Sequence, residues 1–87
     1  MNTIWKQRLE VETEQTIEIP EGSKLLTVGE QNGIMYIWFS CNTENPKRDR
    51  TIFIIGTGDD LPYYDVSYIG TIFQYSGRLV FHVYEKC

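Results

Sequence analysis

The sequence predicts an all-β domain, a small antiparallel sandwich or barrel of about five to seven strands built from hairpins. Three observations carry this. Apolar residues come in short runs bounded by turn residues, with a period of two in most of them. Asn32-Gly33 and Ser76-Gly77 each sit between two such runs, where a hairpin turn needs residues that tolerate positive φ. No long window carries a 3.6-residue period, so no amphipathic helix is expected.

The first run is Thr3 to Glu12. Ile4, Lys6, Arg8 and Glu10 fall on one side, and a bulge near Gln7-Arg8 is expected to gather Trp5, Leu9 and Val11 on the other. Thr13-Glu14 reads as a hairpin tip leading into Gln15 to Ile19, where Ile17 and Ile19 point inward. Pro20-Glu21-Gly22 stops that strand, because proline lacks the donor a ladder needs. Lys24 to Gln31 and Ile34 to Asn42 form a hairpin about Asn32-Gly33. The second of these contains Ile34-Met35-Tyr36-Ile37-Trp38-Phe39, apolar on both faces, and so is expected to be central and covered on both sides. Thr43 to Arg50 reads as a polar loop. Thr51 to Gly56 is again apolar on both faces. Thr57 to Ser67 is the longest irregular segment, and Tyr68 to Tyr75 and Arg78 to Glu85 close the chain as a hairpin. The expected core is Trp5, Leu9, Ile17, Ile19, Leu26, Val28, Ile37, Phe39, Ile52, Ile54, Phe73, Leu79, Phe81 and Val83.

The chain has 87 residues, enough for one domain. Such a small domain needs large core side chains, and 14% of its residues are aromatic. The net charge of −4 disfavours general nucleic-acid binding and docking on an anionic membrane. Cys41 lies in an apolar run and reads as a buried free thiol, Cys87 as an exposed one. Two cysteines do not make the framework of a small secreted domain. Met1 to Lys6 lacks a signal-peptide pattern and no stretch approaches the ~20 apolar residues of a membrane span, so a cytoplasmic location is expected.

Five features are candidates for chemistry. His82, the one histidine, lies mid-strand and reads first as a hydrogen-bonded sheet residue, second as a general base or ligand. Asp59, Asp60 and Asp65 read as a solvated turn, since their spacing matches no calcium loop. Gly56-Thr57-Gly58 resembles part of a phosphate loop but lacks the Lys-Ser/Thr that completes one. Lys47, Arg48 and Arg50 are the rival anion site. Tyr63, Tyr64 and Tyr68 lie in or beside the long loop, next to Pro62. They are either packed on a sheet face or anchors for a partner. No catalytic set, metal site or cofactor is expected.

The segments Thr3-Ile4-Trp5-Lys6, Gln15 to Gly22, Gln31-Asn32-Gly33, Ile37-Trp38-Phe39, Arg50-Thr51-Ile52, Gly56-Thr57-Gly58, Tyr68-Ile69-Gly70-Thr71 and Leu79 to Glu85 run nearly the whole chain. In these the sequence resembles a family of short proteins, a domain of unknown function, common in tailed phages and prophages. The resemblance implies an accessory protein of a phage or prophage and carries over no activity or site. The chain departs from that pattern in its 43–49 loop.

Three functions are expected in turn. A protein-binding module would occupy a host protein surface, as in anti-defence, with Tyr63, Tyr64, Asp59, Asp60, Asp65 and Tyr68 as its surface. A sequestering binder of a small nucleotide-like ligand would need Tyr63 or Tyr64 beside Arg48 or Arg50. An enzyme would use His82. A structural, virion-associated role is a further alternative. A homodimer is expected because the two-sided apolar strands need covering and no helix is available to do it.

Overall fold

The computed structural model describes residues 1–87 and contains seven strands and no helix. These are β1 (Asn2–Leu9), β2 (Glu14–Pro20), β3 (Lys24–Gln31), β4 (Ile34–Asn42), β5 (Lys47–Gly56), β6 (Val66–Gln74) and β7 (Leu79–Lys86). They form two antiparallel sheets, one ordered β1-β4-β3 and the other β2-β5-β7-β6. The sheets pack as a sandwich, not a closed barrel. Ile17, Ile19, Ile37, Phe39, Ile52, Ile54, Ile72 and Val83 fill the space between them.

Asn32 and Gly33 have φ of 52° and 80°, the pair of left-handed conformations that a type I′ hairpin requires. The β6–β7 connection is wider than a two-residue turn. Gln74 pairs with Leu79, and Tyr75, Ser76 and Gly77 all have positive φ.

The first hairpin is not formed. β1 and β2 lie in different sheets, and residues 10–13 carry the chain across. Gln15 fixes this crossing, its Oε1 accepting from the Glu10 amide at 2.8 Å and its Nε2 donating to the carbonyls of Glu10 and Glu12. Nor is there a bulge at Gln7-Arg8, because β1 pairs with β4 in one unbroken register. Strict alternation already aligns Trp5, Gln7 and Leu9 on the inner face.

The bulges fall instead at Leu26 in β3 and Ile69 in β6. Each inserts one residue and inverts the facing of the rest of its strand. That explains two corrections to the core. Leu25, not Leu26, packs on it, and Ile72 and Gln74 turn inward while Phe73 stands 62% exposed on the outer face. Leu79 lies at a sheet end and Trp5 at a sheet edge, and both are also exposed. Val28 and Phe81 are partly buried against the core. Cys41 is buried and Cys87 exposed, as expected.

The two sides of the sandwich differ. On one, β3 packs against β6 at Gly70, where an added Cβ would lie 2.8 Å from Val28 Cγ2. Glycine there lets the sheets meet. On the other, β1 and β2 stand apart across a groove of about 450 Å3 lined by Trp5, Phe39, Glu18, Pro20 and Lys47. One end of the sandwich is plugged by an ion pair. Arg50 donates through Nε and Nη2 to both carboxylate oxygens of Glu85, and through Nη1 to the Ser23 carbonyl at 2.9 Å. The hydrogen bonds to Glu85 raise the Arg50 pKa above the ordinary arginine range, against the opposing effect of burial.

Candidate functional site

The outer face of the four-stranded sheet and the loop that crosses it, residues 57–65, carry the densest set of chemistry-bearing side chains. Phe53 and Ile55 point to this outer face from β5, opposite to Ile52 and Ile54, yet both are buried. The loop supplies their cover. Tyr64 stacks on Phe53 with centroids 6.0 Å apart, and Lys86 Nζ sits 4.0 Å from the Tyr64 ring centroid. Ile55 lines a shallow cleft of about 240 Å3 with Leu61, His82 and Tyr84.

The root of the loop is held by a chain of hydrogen bonds. Thr57 Oγ1 lies 2.8 Å from His82 Nε2, Thr71 Oγ1 lies 3.1 Å from His82 Nδ1, and Tyr68 Oη lies 2.6 Å from Thr71 Oγ1. The bulge at Ile69 builds this arrangement, because it puts Tyr68 and Thr71 on the same face. Tyr68 also meets Tyr84 edge-on at 5.4 Å. A hydroxyl within reach of an imidazole is the first requirement of an activated nucleophile. The group orienting this imidazole is a neutral hydroxyl, however, and no carboxylate forms an ion pair with His82. What the chain does mechanically is tie the 57–58 corner to β6 and β7.

Two further contacts fix the loop. The Asp59 amide donates to the Gly56 carbonyl at 3.0 Å, and the Asp59 carboxylate occupies the space a Cβ would take on Gly56. At the other end the Cys87 amide donates to the Asp65 carbonyl at 2.9 Å. The loop is thus pinned at Thr57, Asp59, Tyr64 and Asp65. Tyr63, between these pins, is fully exposed.

The two adjacent tyrosines therefore differ. Tyr64 packs on the sheet and Tyr63 faces water. Asp59, Asp60, Tyr63 and Tyr64 are exposed alongside Leu61, and Asp65 is exposed beside them. Tyr68 joins the set through the face of β6.

The rival basic cluster is not a loop. Lys47, Arg48 and Arg50 lie on β5, paired with Pro20, Ile19 and Ile17. Alternation sends Arg48 and Arg50 to one face and Lys47 to the other. Arg48 meets Glu21 at 3.8 Å in solvent, and Arg50 is taken up by Glu85 and Ser23. Arg50 also points away from the face on which Tyr64 stacks, so the two do not form a clamp.

The loop is legible in the sequence, but the parts played by Phe53, Thr71 and Lys86 are not. Thr57 was legible as part of the Gly-Thr-Gly exit from β5. The other contacts depend on which strands lie side by side.

A family model described as Domain of unknown function (DUF7352) matches residues 1–87. The chain belongs to that family. The match spans both sheets and the 57–65 loop together, so the family pattern takes in the whole sandwich. No curated protein and no solved structure matches the chain.

Proposed function

We propose that this DUF7352 chain is a protein-binding module whose docking surface is the 57–65 loop with the adjoining face of β6. The observation that carries the proposal is the position of Tyr63. A large aromatic ring is left in water on a loop pinned on both sides of it, while its neighbour Tyr64 is spent on packing. A pre-ordered aromatic loses little entropy when a partner covers it, and tyrosine is enriched among residues that dominate binding energy. Tyr68 and Phe73 extend the exposed apolar surface along the outer face of β6.

The partner the chemistry fits is a basic protein surface. Asp59, Asp60 and Asp65 flank Tyr63 in the loop of a chain of net charge −4, which would raise the on-rate for a cationic partner and repel an anionic one. The sequence resemblance supports placing such a module among phage or prophage accessory proteins acting in the host cytoplasm. Masking a basic groove of a host defence protein is the form of the activity this charge distribution favours.

The test is affinity capture from host lysate, with the parent chain and Tyr63→Ala compared side by side. The expected result is a basic protein retained by the parent and lost from the variant, with the melting temperature unchanged. A partner held equally by both would remove Tyr63, and with it this reading.

A further inference from the structure

We propose that β1 is a self-association edge, and that two copies of the chain join their three-stranded sheets by antiparallel β1–β1 pairing. The sandwich has four edge strands: β1, β3, β2 and β6. A free edge invites pairing with another chain unless something blocks it. β3 is bulged at Leu26 and β6 at Ile69, and these two edges face each other across the closed side. β2 ends in Pro20 and exposes Glu14 and Glu18 along its length. β1 is neither bulged nor closed by a proline. It is eight residues long, contains no proline or glycine, and pairs with β4 without a register break.

Charges are the remaining protection, and on β1 one of the two, Lys6, is drawn off the edge. Lys6 reaches inward across β4, with its Nζ 4.2 Å from the Tyr36 ring centroid and 2.7 Å from Gln31 Oε1 on the far strand. Arg8 meets Glu10 at 3.4 Å. Beside the exposed Arg8 the edge shows to solvent Ile4, 60% exposed, on the outer face and Trp5, 40% exposed, on the inner one.

The occupant is a second copy because the strand can pair with itself in a symmetric register that opposes no like charges. Each residue must meet one of the same facing. With Trp5 opposite Trp5 of the second copy, Ile4 meets Lys6 and Asn2 meets Arg8, and no two like charges are directly opposed. The lysine stem then lies against Ile4, which both copies leave exposed alone. The neighbouring register in one direction puts Lys6 on Lys6, which is destabilising. This interface lies on the β1 side of the sandwich, and the 57–65 loop belongs to the other sheet. The proposal therefore stands or falls separately from the binding function above.

The experiment is light scattering and sedimentation of the full chain, with reductant, from about 1 to about 100 µM. A mass that rises to the dimer is expected. A monomer throughout overturns the proposal. Ile4→Lys would set a lysine against Lys6 twice in the symmetric pair and should raise the dimer Kd by about tenfold or more; an unchanged Kd would place the interface elsewhere. In a Cys87→Ala background, Trp5→Cys should form an intermolecular disulfide readily, since the paired Cα atoms fall within bridging distance. Arg8→Cys, facing Asn2, should not. Cross-linking by Arg8→Cys in preference to Trp5→Cys would overturn the register. Circular dichroism of each variant separates a lost interface from a lost fold.

Discussion

Strands β4 and β5 are both inner strands of their sheets and both apolar on two faces, yet the protein covers their outer faces by opposite means. β5 buries Phe53 and Ile55 beneath a folded-back loop. β4 leaves Tyr36 and Trp38 half-buried, tilted together with centroids 5.9 Å apart, beneath a single lysine that arches from β1 to β3. A loop removes large rings from water completely but must itself carry aromatic residues to do so, and Tyr63 is left outside. A lysine stem gives partial cover with little added surface. The first solution gives the molecule its exposed ring. The second leaves the three-stranded sheet open along β1, where no loop overlies the edge.

The difference in cover sets an order of effects. Phe53→Ala should cost about 3–5 kcal/mol, the loss for a fully buried phenylalanine that leaves a cavity. Urea denaturation measures it. A loss below about 1 kcal/mol would show that the loop collapses into the space and is not a fixed cover. Gly70→Val tests the closed side of the sandwich. Its side chain would meet Val28, a short branched group with little room to yield, so a cost of about 1–3 kcal/mol is expected. A neutral result would mean the two sheets can separate there as they do along β1 and β2.

Arg50→Met probes the plugged end. The pair with Glu85 is only partly exposed, at 26% and 16%, so its loss should cost about 1–3 kcal/mol, less than for a fully buried pair. The sign with pH is definite. The folded-state pKa of Arg50 is raised, so its contribution is fully present below the unfolded value and is lost only as pH rises through the folded one. The urea midpoint difference between parent and Arg50→Met should therefore persist into mildly alkaline solution. A difference that vanishes there would separate the stability effect from the guanidinium charge.

Much of this architecture was legible in the sequence, for identifiable reasons. The β3–β4 hairpin was readable end to end because Asn32-Gly33 is a local instruction, needing only two residues that accept left-handed angles. The β1–β2 connection was misread because Thr13-Glu14 carries no such instruction, and nothing local tells a hairpin from a crossing between sheets. The bulges at Leu26 and Ile69 are invisible in one strand, since a bulge is a mismatch of count between two. They moved Leu26 and Phe73 out of the expected core. The site divided in the same way. Aromatic residues beside a proline in a long loop are a local feature. The chain Thr57–His82–Thr71–Tyr68 joins three segments, and only their alignment reveals it.

Tyr64→Ala and Lys6→Met form the smallest and sharpest pair, because each removes the cover of one sheet and little else. Tyr64 stacks on Phe53 and carries Lys86, so its removal should cost about 1–2 kcal/mol from lost aromatic contact and newly wetted Phe53. Lys6→Met keeps most of the stem and deletes the charge. An exposed cation–π contact and one exposed hydrogen bond leave at most about 1 kcal/mol to lose. Salt separates them further. The Lys6 contribution should shrink as ionic strength rises, whereas most of the Tyr64 contribution is apolar and should hold. Thermal melts of both variants at low and high salt read this directly. Equal losses with equal salt dependence would mean that the outer faces of β4 and β5 are protected in the same way, and the contrast between loop and lysine would fail.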